Sequence, residues 1–144
     1  MTTTKQMIEH AVELYNAGDV DAFLELYADD AVLTLPEGTY RGRDAIRRSF
    51  VEQWTGFPDS HISAELIVAE GDTIAEEFTY QGTNTGPVAM PDGNTLPASG
   101  RHVEMKAMQL IKTRAGKVVR HDIFLDTGTM AEQMGWSHPG SPAT

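Results

Sequence analysis

The stretch Gly100–Gly135, GRHVEMKAMQLIKTRAGKVVRHDIFLDTGTMAEQMG, decides the fold. It predicts two β-strands joined by a turn at residues 113–117, because two strand-like runs flank a short segment that contains Ala115 and Gly116. A turn centred near Ala115 places residues 102–108 opposite residues 122–128 in an antiparallel pair. A short helix is predicted after the second strand, from about residue 128 to residue 134.

Two aspartates at the end of the second strand are candidate catalytic groups. In a regular strand Asp122, Phe124 and Asp126 share one face. We expect this face to point into a pocket, and a carboxylate in an apolar pocket can become a base near neutral pH. Asp122 is the first candidate, while Asp126 has the alternative role of N-cap for the helix that follows. His121 is expected on the opposite face.

The other strand of this pair offers possible helper groups. The predicted pairing places His102, Glu104, Lys106 and Met108 on one face, near the two aspartates. His102 or Lys106 could then stabilise an enolate, and the alternative is a solvent-facing ladder of charged residues. Gln109 interrupts the apolar positions of the same strand.

The rest of the chain predicts helices first and strands afterwards. Apolar spacing predicts a helix over 4–17 capped by Thr3 or Thr4, a second short helix after Asp19, and a third around 45–54. Strands are expected at 31–35, 61–70 and 73–83. Residues 82–100 are rich in Gly, Pro and Asn, and form either the rim of a binding site or a flexible linker. Residues 136–144 are expected to be an extended tail.

This order of elements predicts one α+β domain over residues 1–144. A curved antiparallel sheet wrapped over the helices would form a cone with a ligand cavity inside. Candidate walls of that cavity are large side chains, for which plain core packing is the alternative: Trp54, Phe57, Tyr80, Met108 and Phe124. Glu77 is a further candidate, because only one of the adjacent residues Glu76 and Glu77 can point inward.

Charge and composition exclude several classes of function. The net charge is −10, from 11 Lys+Arg against 21 Asp+Glu, which argues against binding to nucleic acids or anionic membranes. The absence of cysteine excludes disulfides and a thiolate nucleophile, and the histidines lack metal-ligand spacing. We therefore expect no metal. No apolar run approaches the ~18 residues of a membrane span, and no signal core opens the chain, so a cytoplasmic location is expected.

Short sequence segments, which together cover nearly the whole chain and follow one another in a family's order, resemble a known family. They include Tyr15–Asp19, Phe23–Tyr27, Tyr40–Ile46, Gly82–Pro87 and Gln133–Gly135. Together they resemble the SnoaL-like polyketide cyclase family, within the nuclear transport factor two-like superfamily. The resemblance implies a cone-shaped α+β barrel without metal or cofactor, often a homodimer through the outer face of its sheet.

The resemblance also implies roles for particular residues. In the cyclases an aspartate on the last long strand is the acid–base group of an intramolecular aldol condensation; Asp122 matches it best, with Asp126 as competitor. In the epoxide hydrolase branch an Asp-Arg-Asp set holds the water, but its earlier pair falls here on Glu77 and Thr79. A loop that often reads Gly-Thr-His-Thr-Gly has Asn84 in place of the histidine, which keeps hydrogen bonding without titration.

The sequence therefore predicts a cofactor-free cyclase or isomerase that binds a small hydrophobic carbonyl compound. Two alternatives stay open. One is a non-catalytic small-molecule-binding module of the same fold. The other is an epoxide hydrolase or hydratase that activates water.

Overall fold

The predicted helices and strands occur in the predicted order, together with short strands that the sequence analysis did not predict. The computed structural model describes residues 3–90, 92–138 and 141–142. Its elements are α1 (Thr4–Ala17), α2 (Val20–Leu24), β1 (Tyr27–Leu35), β2 (Gly38–Arg41), α3 (Arg43–Gly56), β3 (His61–Glu70), β4 (Thr73–Thr83), β5 (Val88–Ala89), β6 (Thr95–Leu96), β7 (His102–Arg114), β8 (Lys117–Leu125), α4 (Thr127–Met134), β9 (Trp136–His138) and β10 (Ser141–Pro142). Of the tail predicted as extended, residues 139–140 and 143–144 lie outside the described residues.

Side-chain caps fix the start of the first two helices. Thr3 and Gln6 form a capping box, in which the Thr3 hydroxyl accepts from the Gln6 amide and the Gln6 side chain accepts from the Thr3 amide. Asp19 caps α2 by accepting from the amide of Ala22. This helix is shorter than predicted, since Tyr27 already begins β1.

A six-stranded curved sheet covers the helices. Its strand order is β2-β1-β8-β7-β4-β3. All neighbouring pairs are antiparallel except β1 and β8, which run parallel. α1 packs against β3 and α3 against β1, so the apolar inner face of the sheet is buried under helices. The predicted α+β class and the curved sheet over N-terminal helices are confirmed.

The hairpin between β7 and β8 turns tightly and then loses its regular register. Ala115 and Gly116 have φ angles of 51° and 77°, as a two-residue hairpin turn requires. Thr113 pairs with Val118, but the next pair is Lys112 with Arg120, which leaves Val119 as an extra residue in a β-bulge.

This bulge reverses the faces of the rest of β8. Val118 is buried on the inner side, and an unbroken alternation would bring Asp122 to that side too. The extra residue instead turns His121, Ile123 and Leu125 inward. The predicted orientations of His121 and Asp122 are therefore wrong. The predicted pairing is also shifted, since Met108 lies opposite Phe124 rather than Asp122.

The loop between β4 and β7 is ordered around one buried amide. Asn84 is fully buried, and its Nδ2 donates to the carbonyl oxygens of Gly56 and Gly86. Its Oδ1 accepts from the amide and the hydroxyl of Ser99. Asn84 thus ties both ends of the loop to the end of α3, which a flexible linker would not show.

Among the residues that the structure describes, none of the helices combines the length and the apolar character needed to cross a membrane.

Candidate functional site

A cavity lies inside the cone, between the helices and the inner face of the sheet. Its walls are mostly apolar and come from α1, α2, α3 and five strands, with Met7, Ala11, Val12, Phe23, Phe50, Phe78, Ile111, Ile123 and Leu125 among the lining side chains. The cavity volume is about 60 Å³. Ligand pockets usually measure roughly 300–1,000 Å³, so anything larger than a few water molecules requires the walls to move.

A chain of four polar side chains reaches this cavity from the sheet. The Tyr27 hydroxyl lies 2.8 Å from Nδ1 of His121, and Nε2 of His121 lies 2.5 Å from Oε1 of Gln109. Nε2 of Gln109 donates to Oε1 of Glu76 at 2.5 Å. Tyr27, His121 and Gln109 line the cavity, while Glu76 is fully buried behind them. The chain therefore connects a buried acid to a phenol at the cavity wall.

Burial sets the charge of these groups. It lowers the pKa of His121 to about 4, although the nearby Asp122 carboxylate partly opposes the shift. Burial also raises the pKa of Tyr27 far above its ordinary value. At neutral pH the cavity wall therefore presents a neutral imidazole hydrogen-bonded to a neutral phenol. The pKa of Glu76 is raised by burial too, with the Gln109 hydrogen bond acting in the opposite direction.

A second polar pair lines the same cavity. The Tyr15 hydroxyl donates to Oε1 of Gln53 at 2.7 Å. The ring of Phe23 contacts both Tyr15 and Tyr27 edge-on, with centroid distances of 5.8 and 5.7 Å. The cavity thus offers hydrogen-bonding groups on both sides of this phenylalanine, in otherwise apolar surroundings.

Asp122 lies on the outer face of the sheet, not in the cone. Its Oδ2 accepts from Nε and a terminal nitrogen of Arg120, at 2.9 and 2.8 Å. It lines an open groove with Thr34, Pro36 and Phe124. The bulge at Val119 is the physical reason, because it exchanges the faces of all residues that follow.

Asp126 and His102 also lie outside the cavity lining. Asp126 is exposed and caps α4 by accepting from the amide and hydroxyl of Thr129, which lower its pKa. This is the alternative role that the sequence left open. His102 is exposed, and its Nδ1 lies 3.0 Å from the Thr83 hydroxyl. The predicted cluster of His102 with the two aspartates does not form around the cavity.

Three predicted ligand contacts share the outer face. Glu77 pairs with Lys106 at 3.6 Å, while Met108 and Phe124 are exposed. The inward position on β4 belongs to Glu76. A ligand inside the cone cannot reach these side chains through the sheet, so their predicted contact with such a ligand is wrong.

The other predicted contacts lie on the inner side. Tyr80 lines the cavity; its hydroxyl lies 2.8 Å from that of Ser60, and burial raises its pKa to about 12. Trp54 packs on the ring of Tyr15 with a centroid distance of 5.0 Å, and Phe57 packs edge-on against Tyr80. These two belong to the core around the cavity rather than to its lining. Asn84 uses both its donors and both its acceptor sites in the loop.

The sequence analysis did not predict the hydrogen-bonded series of side chains from Tyr27 through His121 and Gln109 to Glu76. One signal was available, since Gln109 and Glu76 each occupy a polar position in a row of inward apolar residues. Their two positions pair directly across β4 and β7. Nothing in the sequence distinguished His121 as inward, because that depends on the bulge.

Within the part of the chain that the structure describes, no three His, Asp or Glu side chains are grouped so that they could hold a metal ion.

Comparison with solved structures shows the same fold in several bacterial proteins. IdmH of Streptomyces antibioticus, a candidate polyketide cyclase, is 30% identical with a TM-score of 0.77, over 92% of this chain and 99% of that chain. AclR of Streptomyces galilaeus, a candidate hydroxylase, is 20% identical with a TM-score of 0.78, over 92% and 95%. A candidate SnoaL-like polyketide cyclase of Jannaschia sp. CCS1 is 20% identical with a TM-score of 0.74, over 90% and 91%.

Sequence comparison agrees with the structural likeness. A search of curated proteins finds no match. Residues 8–121, however, match the SnoaL-like domain, and they include most of α1, the helices α2 and α3, the strands β1 to β7 and the part of β8 that carries His121. The chain therefore belongs to the SnoaL-like family.

Proposed function

We propose that this protein is a cofactor-free cyclase or isomerase that transfers protons on a small apolar carbonyl compound inside the cone. Tyr27 and His121 act as its acid–base pair. The observation that supports this most is a neutral, buried imidazole bonded to a phenol at the wall of an apolar cavity. Similarity to a candidate polyketide cyclase at 30% identity points to the same class of reaction.

Tyr27 and His121 can take a proton from the substrate and return it later, so that the pair ends the reaction in its starting protonation state. The Tyr27 oxygen takes a proton from the carbon next to a carbonyl while its own hydroxyl proton passes to Nδ1 of His121. The electrons of the broken C–H bond form an enolate. In a cyclase the enolate carbon then bonds to a second carbonyl carbon, and in an isomerase another carbon is protonated. In the cyclase the π electrons of that second carbonyl move to its oxygen, which becomes an alkoxide. The proton returns from His121 through Tyr27 to this alkoxide, or to the other carbon in the isomerase, and the pair is restored to its starting state.

The weak basicity of His121 narrows the class of substrate. An imidazole with a pKa of about 4 is a poor base. A carbon between two carbonyl groups releases its proton far more readily than a carbon beside one, so we propose a 1,3-dicarbonyl compound. Tyr15 and Gln53 line the same cavity and are the candidates to hold a carbonyl oxygen.

Binding requires the cavity to widen, because a volume of about 60 Å³ is too small for a ring system. Met7, Ala11 and Val12 of α1 form one wall. A methionine side chain is flexible, and α1 covers one side of the cavity while packing on β3 and α2. We therefore propose that α1 moves outward when the substrate enters.

The epoxide hydrolase alternative has little support. The positions that would hold the water, Glu77 and Thr79, lie on the outer face of β4, where Glu77 pairs with Lys106 and Thr79 donates to Glu65. A water molecule in the cavity cannot contact them. The binding-module alternative differs in outcome, since it predicts a ligand that binds and leaves unchanged.

Deuterium exchange tests the proposal without knowledge of the natural substrate. Purified protein is added to a panel of apolar 1,3-diketones and β-ketoesters in D₂O, and NMR follows exchange at the carbon between the carbonyls. We expect saturable acceleration above the uncatalysed rate, and a loss of about 10²-fold or more in Tyr27→Phe. Tyr40→Phe is the matched control, because the Tyr40 hydroxyl faces Glu37 on the surface.

Two further outcomes separate the alternatives. Binding without any accelerated exchange would support a binding module and contradict the proposal. In a separate incubation of an epoxide in water labelled with ¹⁸O, label in a diol product would indicate a hydrolase instead. Equal rates for wild type and Tyr27→Phe would rule out Tyr27 as the group that takes the proton.

A further inference from the structure

Glu76 is a buried carboxyl group that the proton transfer described above does not use. It has no exposed surface, and it occupies the inner face of β4 between Ile74 and Phe78. Its Oε1 accepts from Gln109, whereas its Oε2 has no hydrogen-bond partner among the described residues. Burial of a half-satisfied carboxyl group is unfavourable. An apolar side chain of similar size would avoid this penalty, so the carboxyl group needs another explanation.

The orientation of the Gln109 amide depends on whether Glu76 accepts or donates, and that orientation determines which nitrogen of His121 is protonated. The amide of a glutamine donates through its nitrogen and accepts through its oxygen. Because Nε2 of Gln109 donates to Glu76, Oε1 of Gln109 faces Nε2 of His121 and can only accept from it. His121 therefore carries its proton on Nε2. Its Nδ1 has a free electron pair, which accepts from the Tyr27 hydroxyl.

The direction of donation along these hydrogen bonds decides whether Tyr27 faces the cavity with a free electron pair or with its hydroxyl proton. With its proton directed at His121, the Tyr27 oxygen has electron pairs left for a substrate proton. If Glu76 donated instead, Gln109 would turn over and His121 would carry its proton on Nδ1. Tyr27 would then accept from His121 and present a proton to the cavity, and could not begin the reaction as a base.

We infer that Glu76 is a positioning residue, which accepts from Gln109 and thereby holds His121 in the tautomer protonated at Nε2. Its catalytic meaning rests on the proposed function, because only a Tyr27 that acts as base needs this direction. The tautomer itself is a property of the free protein. It can be measured whether or not a substrate is known.

Nitrogen NMR of histidine-labelled protein reads the tautomer directly. In wild type at neutral pH we expect the two His121 nitrogens to show the widely separated shifts of one pure tautomer, protonated at Nε2. In Glu76→Gln the new amide can either donate or accept, so both tautomers form and the two shifts move toward each other. Glu77→Gln is the matched control on the outer face, and it should leave the spectrum unchanged.

The exchange assay adds the functional readout. Since about half of the Glu76→Gln molecules would hold the competent tautomer, kcat should fall about twofold with KM unchanged. A wild-type spectrum with the proton on Nδ1, or with mixed tautomers, would overturn the inference even if Glu76→Gln did not fold. An unchanged spectrum in folded Glu76→Gln would overturn it as well. Absence of exchange in wild type would instead refute the proposed function and leave the tautomer result intact.

Discussion

Two neighbouring residues, His121 and Asp122, have opposite environments. His121 is enclosed between Tyr27 and Gln109 at the cavity wall, whereas Asp122 pairs with Arg120 on the outer face. A base in a proton transfer must contact the substrate, so position excludes Asp122 from chemistry inside the cone. The interpretation of Asp122 as the acid–base group assumed an unbroken strand, and this assumption fails at Val119.

The buried imidazole should make stability depend on pH. The unfolded chain binds a proton at His121 near its ordinary pKa of 6.5, but the folded protein does so only near 4. Between these values the unfolded state binds more protons, so stability falls as pH decreases from 6.5 to 4, by about 3 kcal/mol. Urea unfolding at pH 7 and pH 4 measures this loss in wild type and in His121→Gln.

The difference between the two proteins isolates His121. Glu76 works in the opposite direction, because its raised pKa makes its contribution decrease as pH rises from its ordinary value of 4.5. That contribution is present in both proteins, so the comparison removes most of it. A wild-type loss no larger than the loss in His121→Gln would contradict a depressed pKa at His121.

At the scale of elements, hairpins were predictable and the bulge was not. Gly71-Asp72 and Ala115-Gly116 predict turns, because glycine adopts the positive φ angles that tight turns need. The two strands on either side of Gly71-Asp72 begin and end at the predicted residues. Nothing in Val118-Val119-Arg120 marks an extra residue, since two valines suit either face of a strand. The bulge lies in the pairing of β8 with β7, and it decides which alternate side chains of β8 after Val119 face the cavity.

The loop between β4 and β7 should depend on Asn84. Asn84→Ala would leave two carbonyl oxygens and the Ser99 groups without partners, at an expected loss of about 2–3 kcal/mol in unfolding free energy. Asn94→Ala in the exposed tip of the same loop is the control, with a change within about 0.5 kcal/mol. Urea unfolding measures both, and equal effects would show that Asn84 does not anchor the loop.

At the scale of the whole molecule, the outer face of the sheet is an apolar surface. Leu66, Val68, Met108, Leu110 and Phe124 are 38–61% exposed there. Two ion pairs lie beside these residues, Lys106 with Glu77 and Arg120 with Asp122. Each pair has no net charge, although the chain carries a net charge of −10. A second copy of the chain could cover this face without strong repulsion.

We therefore predict a homodimer through the outer face of the sheet. Light scattering after size exclusion should give twice the chain mass of 15.8 kDa. Phe124→Lys should shift the protein toward the monomer, because a charge would be buried in the interface. Val51→Lys, at an exposed apolar position on α3, is the control and should stay dimeric. A monomeric wild type at micromolar concentration would contradict the prediction.

The overall architecture was predictable because many residues along the chain indicate the same helices and strands. The site was not, because it depends on one bulge and on a few individual polar residues. Helical spacing, strand alternation and turn residues all indicate a curved sheet over helices. The cavity chemistry depends on one bulge and on polar residues in inward rows, such as Gln109. A single-residue change of register moves every following side chain to the other face.

Exchange rates of His121→Gln and Asp122→Asn, measured side by side on one 1,3-dicarbonyl compound in D₂O, test the central claim most directly. The account predicts a loss of about 10²-fold or more for His121→Gln, because a glutamine amide can accept a hydrogen bond from Tyr27 but is not basic enough to take up its proton. It predicts a rate within about twofold of wild type for Asp122→Asn, whose amide oxygen still accepts from Arg120 on the outer face. The reverse result, with Asp122→Asn inactive and His121→Gln active, would contradict an acid–base centre inside the cone.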